Sequence, residues 1–235
     1  AETQIRLRIL LNNSLELPMS NSEYVNEIKR FAKNASKISA IKNDKFHKAA
    51  TIFFNEMADL KHTGSPGSRT WMAQTYISAI KKSLQSLNIN EVYHKDSDLN
   101  VKLAGHNKVK RADLLVIHNK KVFIIELKSS ATLNAIMSAA GEFLIYQNIG
   151  GEFSSENIKT HKINLGDERV KYILFSGYCD KSFETDIEIT KKAFGIDFHA
   201  IAWFRNRKLT ENEKWSHLHA IDEIICFLKI IHQNQ

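Results

Sequence analysis

The sequence has few residues of the kinds that cross-link or interrupt a chain. Among 235 residues there are two cysteines, two prolines and nine glycines. Cys179 and Cys226 do not form a CxxC pair, so a cysteine-based structural zinc site is excluded and we expect two free thiols. No apolar run approaches the roughly 18 residues of a membrane span, and residues 1–19 mix charges and Asn too evenly for a signal peptide. These absences predict a cytoplasmic protein with no membrane partner.

The rest of the composition is that of an ordinary globular protein. Hydrophobic residues make up 43% of the chain and charged residues 25%, which excludes a disordered or fibrous chain. A folded chain of this mass buries about 70% of its extended surface, enough for a substantial core. The formal net charge of +7 favours polyanionic partners, such as nucleic acid or anionic lipid.

Hydrophobic periodicity predicts a mixed α/β fold. The segments with helical spacing are Ser22–Ile41, Lys45–Leu60, Trp71–Leu87, Ala131–Ile149, Glu184–Phe194 and a C-terminal helix that contains Ile221 to Ile231. The segments with strand character are Gln4–Leu11, Glu91–Lys95, Val109–His118, Lys121–Lys128, Val170–Ser176 and Asp197–Phe204. We expect one compact domain in which helices cover a central sheet.

The informative segment is Lys110–Lys128, where two β-rich runs flank Asn119–Lys120. Two residues are the shortest common hairpin connection. With this loop, the pairing steps outward one residue at a time on each strand and places Asp113 directly opposite Glu126. Strand side chains alternate between faces, so Lys128 shares the face of Glu126. The sequence therefore predicts three charged groups together at one end of an apolar hairpin.

Such a group of charges has no evident structural use. Both faces of the runs are otherwise apolar, as in central strands covered by helices on each side. Two carboxylates about 5 Å apart repel by roughly 3 kcal/mol at an effective dielectric constant of about 20, and a divalent cation between them removes that cost. We therefore interpret Asp113 and Glu126 as metal ligands and Lys128 as the group that reaches a phosphate oxygen or an attacking water. In the alternative, Asp113 forms a salt bridge with Arg111 or Lys128, and Glu126 is solvated.

These residues resemble the signature of the PD-(D/E)xK nuclease superfamily. Asp113, Glu126 and Lys128 stand at the three signature positions, and Ala112 stands where a Pro often precedes the first Asp. The order of elements over residues 71–176, a helix, three strands, a helix and a strand, is similar to the superfamily core. The resemblance implies a restriction-endonuclease-like core over residues 71–205, with a helical N-terminal region (1–70) and a C-terminal helix (206–235).

The resemblance also implies an activity. It indicates a Mg²⁺-dependent endonuclease that hydrolyses phosphodiester bonds in double-stranded DNA, with the metal held by Asp113, Glu126 and the main-chain carbonyl of Leu127. We expect a sequence-specific type II restriction enzyme that acts as a homodimer, since each chain has one site and a duplex has two strands. The alternatives are a structure-selective or transposon-associated nuclease of the same superfamily, and a DNA-binding module whose nuclease core has lost its activity.

Further residues are candidates for supporting roles. Arg69 is a candidate for contact with a guanine edge, and the candidate phosphate contacts are Lys102, Lys108, Lys110, Arg111, Arg205 and Arg207. Glu142, which shares a helix face with Tyr146, and Glu56 are candidate supporting acids, although a helix-surface carboxylate is the better explanation of each. Phe227 lies outside the main apolar stripe of the C-terminal helix, which predicts excess apolar surface for a dimer contact, although the N-terminal helices could equally form the dimer surface.

Overall fold

The fold is α/β, with a five-stranded mixed sheet covered by helices on both faces. The computed structural model describes residues 21–59, 69–94, 101–102, 109–110, 112–149, 168–179, 182–205 and 217–233. The predicted strand Gln4–Leu11 lies outside them. None of the helices in the described ranges is long and apolar enough to cross a membrane.

Within the described residues, the helices are α1 Asn21–Lys42, α2 Lys45–Ala58, α3 Arg69–Gln85, α4 Leu133–Ile149, α5 Phe183–Phe194 and α6 His217–Gln233. The strands are β1 Val92–His94, β2 Val101–Lys102, β3 Val109–Lys110, β4 Leu114–His118, β5 Lys121–Ala131, β6 Val170–Cys179 and β7 His199–Arg205. The sheet order is β1-β4-β5-β6-β7, while β2 and β3 form a separate antiparallel ribbon. β4 is antiparallel to both β1 and β5, whereas β5, β6 and β7 are mutually parallel, so β5 is the central strand.

Alternate residues of β5 divide between two hydrophobic cores. Phe123, Ile125 and Leu127 belong to a core built with α1, α2, α3 and α6. Val122 and Ile124 belong to a second core under α4 and α5. The prediction that the hairpin is central and covered on both faces is therefore confirmed.

The hairpin turn has the predicted length and register. Asn119 and Lys120 form the loop, with φ of 50° and 65°, the left-handed pair of a type I′ turn. The ladder runs outward from His118 paired with Lys121 to Leu114 paired with Ile125. This turn type matches the twist of the flanking strands, so it fixes the register close to the loop.

The predicted strand Val109–His118 is wrong as a single element. Val109–Lys110 pairs with Val101–Lys102, whereas Leu114–His118 pairs with β5. The two parts are separated at Asp113, whose side chain accepts a hydrogen bond from β5. That contact occupies a main-chain donor and ends the regular ladder.

The N-terminal helices share the core of the sheet. Trp203 of β7 is fully buried, and its ring centroid lies 5.8–6.2 Å from four rings of α1, α2 and α3, those of Phe31, Phe53, Phe54 and Tyr76. Edge-to-face contacts of this kind contribute about 0.5–1.5 kcal/mol each beyond area burial. The aromatic cluster thus fixes the helical region on one face of the sheet.

The C-terminal helix has no excess apolar surface in the described structure. Phe227 is fully buried, with its ring centroid 4.9 Å from that of Phe175 in β6. The other apolar residues of the predicted stripe are buried as well: Ile221, Ile224, Ile225, Leu228 and Ile231. The prediction that Phe227 contributes to a dimer surface is therefore wrong, because α6 packs at once against the sheet and against α1 and α2.

A cluster of histidines lies at the turn end of the hairpin. The rings of His118 and His232 are 5.8 Å apart, and Nζ of Lys45 donates to Nε2 of His232 over 2.9 Å. Burial and the nearby His232 lower the pKa of His118, against a smaller opposite effect of Glu91. Burial and Lys45 lower the pKa of His232. The fold therefore favours the neutral imidazoles here.

Candidate functional site

The candidate site begins where β4 leaves the ladder. The last pair of the β4–β5 ladder is Leu114 with Ile125. Just beyond it, Oδ2 of Asp113 accepts a hydrogen bond from the main-chain N–H of Leu127 over 2.9 Å. The position opposite Asp113 belongs to Glu126, and a side-chain hydrogen bond joins their carboxyls. The structure thus brings together the two carboxyls that the hairpin register predicted to meet.

Glu126 is almost completely buried, with 2% of its surface exposed. It follows Val122 and Ile124 in the strand alternation, so it faces α4. Burial raises the pKa of Glu126 well above its ordinary value, the negative charges of Asp113 and Glu142 raise it further, and the positive charge of Lys128 partly offsets these effects. A solvated Glu126, as in the alternative interpretation of the sequence, is therefore wrong.

Lys128 connects two of the acids. Its Nζ lies 3.7 Å from Oε2 of Glu126 and donates to Oε1 of Glu142 over 3.2 Å. The Lys128 side chain is 16% exposed and that of Glu142 is 23% exposed, so both remain accessible from solvent. Ser138, one helical turn before Glu142, donates to the same Oε1 at 3.5 Å. The candidate supporting acid Glu142 is therefore in direct contact with the group.

Tyr146 completes the contacts from α4. Its hydroxyl donates to Oε1 of Glu126 over 3.2 Å, and the ring is fully buried. Burial, followed by the charges of Glu126 and Glu142, raises the pKa of Tyr146, so the phenol stays a neutral donor. The sequence placed Glu142 and Tyr146 on one helix face but did not predict the contact with Glu126. The spacing was an available signal, because i and i+4 on a helix can meet i and i+2 on a strand.

The donor set suits a hard divalent cation. Asp113, Glu126 and Glu142 bring three carboxyls around one ammonium group, that of Lys128, among the described residues. In the described part of the chain, no group of three or more His, Cys, Asp or Glu side chains is placed so that it could hold a metal ion. Mg²⁺ does not require a group of that size, because it commonly binds through one or two carboxylates and keeps several waters. The carboxyls of Asp113 and Glu126 are the two that could hold such an ion together with water.

Glu56 lies in a different environment. It accepts hydrogen bonds from Ser78 and Lys82 of α3, both over 2.5 Å, and its helix α2 packs on the sheet face opposite to α4. These contacts account for the 12% exposure of its side chain as a link between two helices. The structure therefore places Glu56 on the opposite face of the sheet from Glu126, apart from the acids that it was predicted to support.

The candidate DNA contacts are described only in part. Lys102 and Lys110 lie in the ribbon β2–β3, which leads directly to Asp113, while Arg69 begins α3 and Arg205 ends β7. Their side chains are outside the description, as are the whole residues Lys108, Arg111 and Arg207. Their roles in DNA binding stay predictions.

Comparisons with protein-family models, with curated proteins and with solved structures found no match for this chain.

Proposed function

We propose that the chain is a Mg²⁺-dependent endonuclease of double-stranded DNA, with a restriction-endonuclease-like core. The observation that supports the proposal best is the buried Glu126, hydrogen-bonded to Asp113 and 3.7 Å from Lys128. Burying a carboxyl beside two others raises its energy, and the contacts of Glu126 with Tyr146 and Lys128 offset only part of that cost. A site for a cation and a phosphate gives this arrangement a use.

Each residue has a role that follows from its contacts. Asp113, Glu126 and the carbonyl of Leu127 would hold the metal, which when bound supplies a Lewis acid for the phosphate and lowers the pKa of water. Lys128, with three donors and a partly exposed ammonium group, orients the attacking water or a phosphate oxygen. Glu142 positions Lys128 through their 3.2 Å contact.

The narrower proposal is a sequence-specific type II restriction enzyme that acts in the cytoplasm as a homodimer. It is supported by the single candidate catalytic group in the sequence, and no nucleotide-binding P-loop, which would indicate an ATP-driven nuclease, occurs within these 235 residues. A dimer on cognate DNA would have twice the chain mass of 26.9 kDa. The apolar face of α6 is buried within the chain and offers no excess apolar surface for this contact.

The test is incubation of the full chain with a plasmid and with phage DNA, with Mg²⁺ or with EDTA. Discrete fragments that require Mg²⁺ would support a restriction enzyme, and a smear would indicate a nuclease without sequence preference. DNA binding without cleavage would contradict the enzymatic proposal and favour a DNA-binding module. Glu126→Gln is the matched variant, because it keeps the shape of the side chain and should abolish cleavage.

A further inference from the structure

Helix α1 presents a row of lysines to solvent. Lys29, Lys33 and Lys37 are all exposed and recur every four residues. Because an α-helix has 3.6 residues per turn, these three lie along one side, about 6 Å apart along the axis. Arg30, also exposed, lies beside the row. We call Lys29, Lys33 and Lys37 the α1 lysine row.

The row is not neutralised by the helix that carries it. The sequence of α1 has two carboxylates, Glu23 and Glu27, and Glu27 pairs with Arg30 over 2.6 Å. It has five cations: Lys29, Arg30, Lys33, Lys37 and Lys42. Five cations against two carboxylates give the helix a net charge of +3. No ion pair joins the row to any acid within the described part of the chain.

The buried apolar face of α1 distinguishes between a lipid surface and a phosphate backbone as the partner of the row. Ile28, Phe31 and Ala35 are buried in the core with the sheet. A helix that binds a lipid surface must insert its apolar face among the acyl chains, and here that face is already occupied. The exposed side has one large apolar residue, Ile41, at the end of the row, where 82% of its surface is exposed. A single apolar side chain is too little to insert a helix into a bilayer, whereas the lysines suit a phosphate backbone.

The row is separate from the candidate cleavage site. α1 belongs to the core on the Leu127 face of β5, whereas Glu126 and Lys128 face α4. Cations on α1 therefore cannot stabilise charge at the reacting phosphate. They can hold DNA that extends beyond the site.

We infer that the α1 lysine row binds the phosphate backbone of a DNA duplex at a position remote from the cleavage site. A duplex has one phosphate per about 3.4 Å of axis on each strand, so a row about 12 Å long spans three or four phosphates of one strand. The inference depends on the proposed function only for the identity of the polyanion. In this arrangement the row contributes affinity and salt dependence but not the rate of the bound complex.

The experiment measures duplex binding in EDTA, so that the result does not depend on cleavage. The variant is Lys33→Ala with Lys37→Ala, two exposed positions where Ala favours the helix. The matched control is Lys48→Ala with Lys192→Ala, which removes the same charge from two exposed helix positions outside the row, one on α2 and one on α5. Fluorescence anisotropy of a labelled duplex is recorded at several salt concentrations, and circular dichroism checks that both variants fold.

The α1 variant should lower the slope of log K against log salt by about 1.8, or about 0.9 per lost phosphate contact, and raise Kd at least tenfold at about 0.1 M salt. The control should change both quantities much less. Equal effects of the two variants, no effect of the α1 variant, or no duplex binding by the wild type would each overturn the inference. Loss of binding to phosphatidylserine vesicles with unchanged DNA binding would overturn it in favour of lipid.

Failure of the proposed function and failure of this inference give different experimental results. If the wild type binds DNA through α1 but does not cut with Mg²⁺, the inference stands and the enzymatic proposal falls. If the wild type cuts and the α1 variant has an unchanged salt slope, the inference falls alone. In an active enzyme the α1 variant should raise KM and leave kcat unchanged.

Discussion

Replacing Glu126 with Gln should stabilise the metal-free protein. At an effective dielectric constant of about 20, Lys128 at 3.7 Å attracts an ionised Glu126 by about 4 kcal/mol. Asp113, at hydrogen-bonding distance from Glu126, repels it by a similar amount, and Glu142 adds to the repulsion. Burial costs several kcal/mol more for the charged form, so the sum is unfavourable. Gln keeps an acceptor for Tyr146 and removes the charge, and we expect a gain of about 1–4 kcal/mol in the free energy of unfolding.

Mg²⁺ should reverse or narrow the difference in unfolding free energy between Glu126→Gln and the wild type. A cation at one hundred times its Kd stabilises the protein that binds it by about 2.7 kcal/mol. The wild type should gain this stability, whereas Glu126→Gln, with one carboxylate ligand removed, should gain little. The assay is urea unfolding at neutral pH in EDTA and in Mg²⁺, followed by the fluorescence of the buried Trp203.

Glu56→Gln is the control for this experiment. Glu56 is also a largely buried acid, but it pairs with Lys82 on the opposite face of the sheet. Its replacement should destabilise the protein and leave the response to Mg²⁺ equal to that of the wild type. If Glu126→Gln is less stable than the wild type in EDTA, or gains as much from Mg²⁺, then Glu126 is a structural residue and the proposed site is wrong.

Three further predictions follow from the same contacts. Lys128→Ala should lower kcat at least about 10²-fold, as expected when a group that acts on transition-state charge is removed, and a higher KM with unchanged kcat would show that Lys128 only holds DNA. Tyr146→Phe should cost about 1–2 kcal/mol of stability. It should also raise the Mg²⁺ concentration for half-maximal cleavage more than it lowers kcat, and an unchanged metal dependence would contradict a role of Tyr146 in positioning Glu126. His118 and His232 have lower pKa values when folded than when unfolded, so the unfolded state binds more protons and the stability that they contribute is lost as the pH falls below about 6.5. Between pH 7 and pH 5 the raised pKa of Glu126 has the opposite effect on stability, so the test is the difference between two proteins. As the pH falls through this range, the wild type should lose stability relative to His232→Gln, and a difference in urea midpoint that does not change with pH would refute the assignment.

The hairpin could be predicted from the sequence because its signals are local. Asn119 and Lys120 are the only two residues between the β-rich runs, and a two-residue loop leaves a single register. That register then determined which residues meet several positions away, including Asp113 and Glu126. Local turn chemistry therefore predicted the central contact of the site, although the side chains themselves are far apart in sequence.

The break before β4 could not be predicted in the same way. Lys110, Ala112 and Asp113, between Val109 and the apolar run from Leu114, are of types that are depleted in strands, but this local signal does not show whether the strand continues through them. The separation depends on β3 pairing with β2 and on Asp113 binding the N–H of Leu127. Both are tertiary contacts, and periodicity carries no information about them.

The wrong assignment of Phe227 has a related cause. A stripe of apolar residues on a helix wheel assumes one packing partner, whereas α6 contacts β7, α1 and α2 together. Several partners bury a wider arc of the helix surface than one partner does. Phe227 lies on this wider arc, outside the main apolar stripe, and packs against Phe175. The same reasoning explains Tyr146: its face was predictable, but the side of the sheet that α4 covers was not.

The termination of the strand and the formation of the site depend on one carboxylate. Oδ2 of Asp113 satisfies the N–H of Leu127, while the same carboxyl faces Glu126. Asp113→Ala therefore relieves the repulsion but leaves a main-chain donor without this acceptor, which costs about 1–3 kcal/mol where the donor is buried. Asp113→Asn keeps an oxygen acceptor and removes the charge. We expect Asp113→Asn to be at least as stable as the wild type in EDTA and Asp113→Ala to be less stable than Asp113→Asn, with cleavage lost in both. Equal stability of the two variants in urea would show that the contact with Leu127 does not hold the strand end, and cleavage by either at the wild-type rate would remove Asp113 from the site.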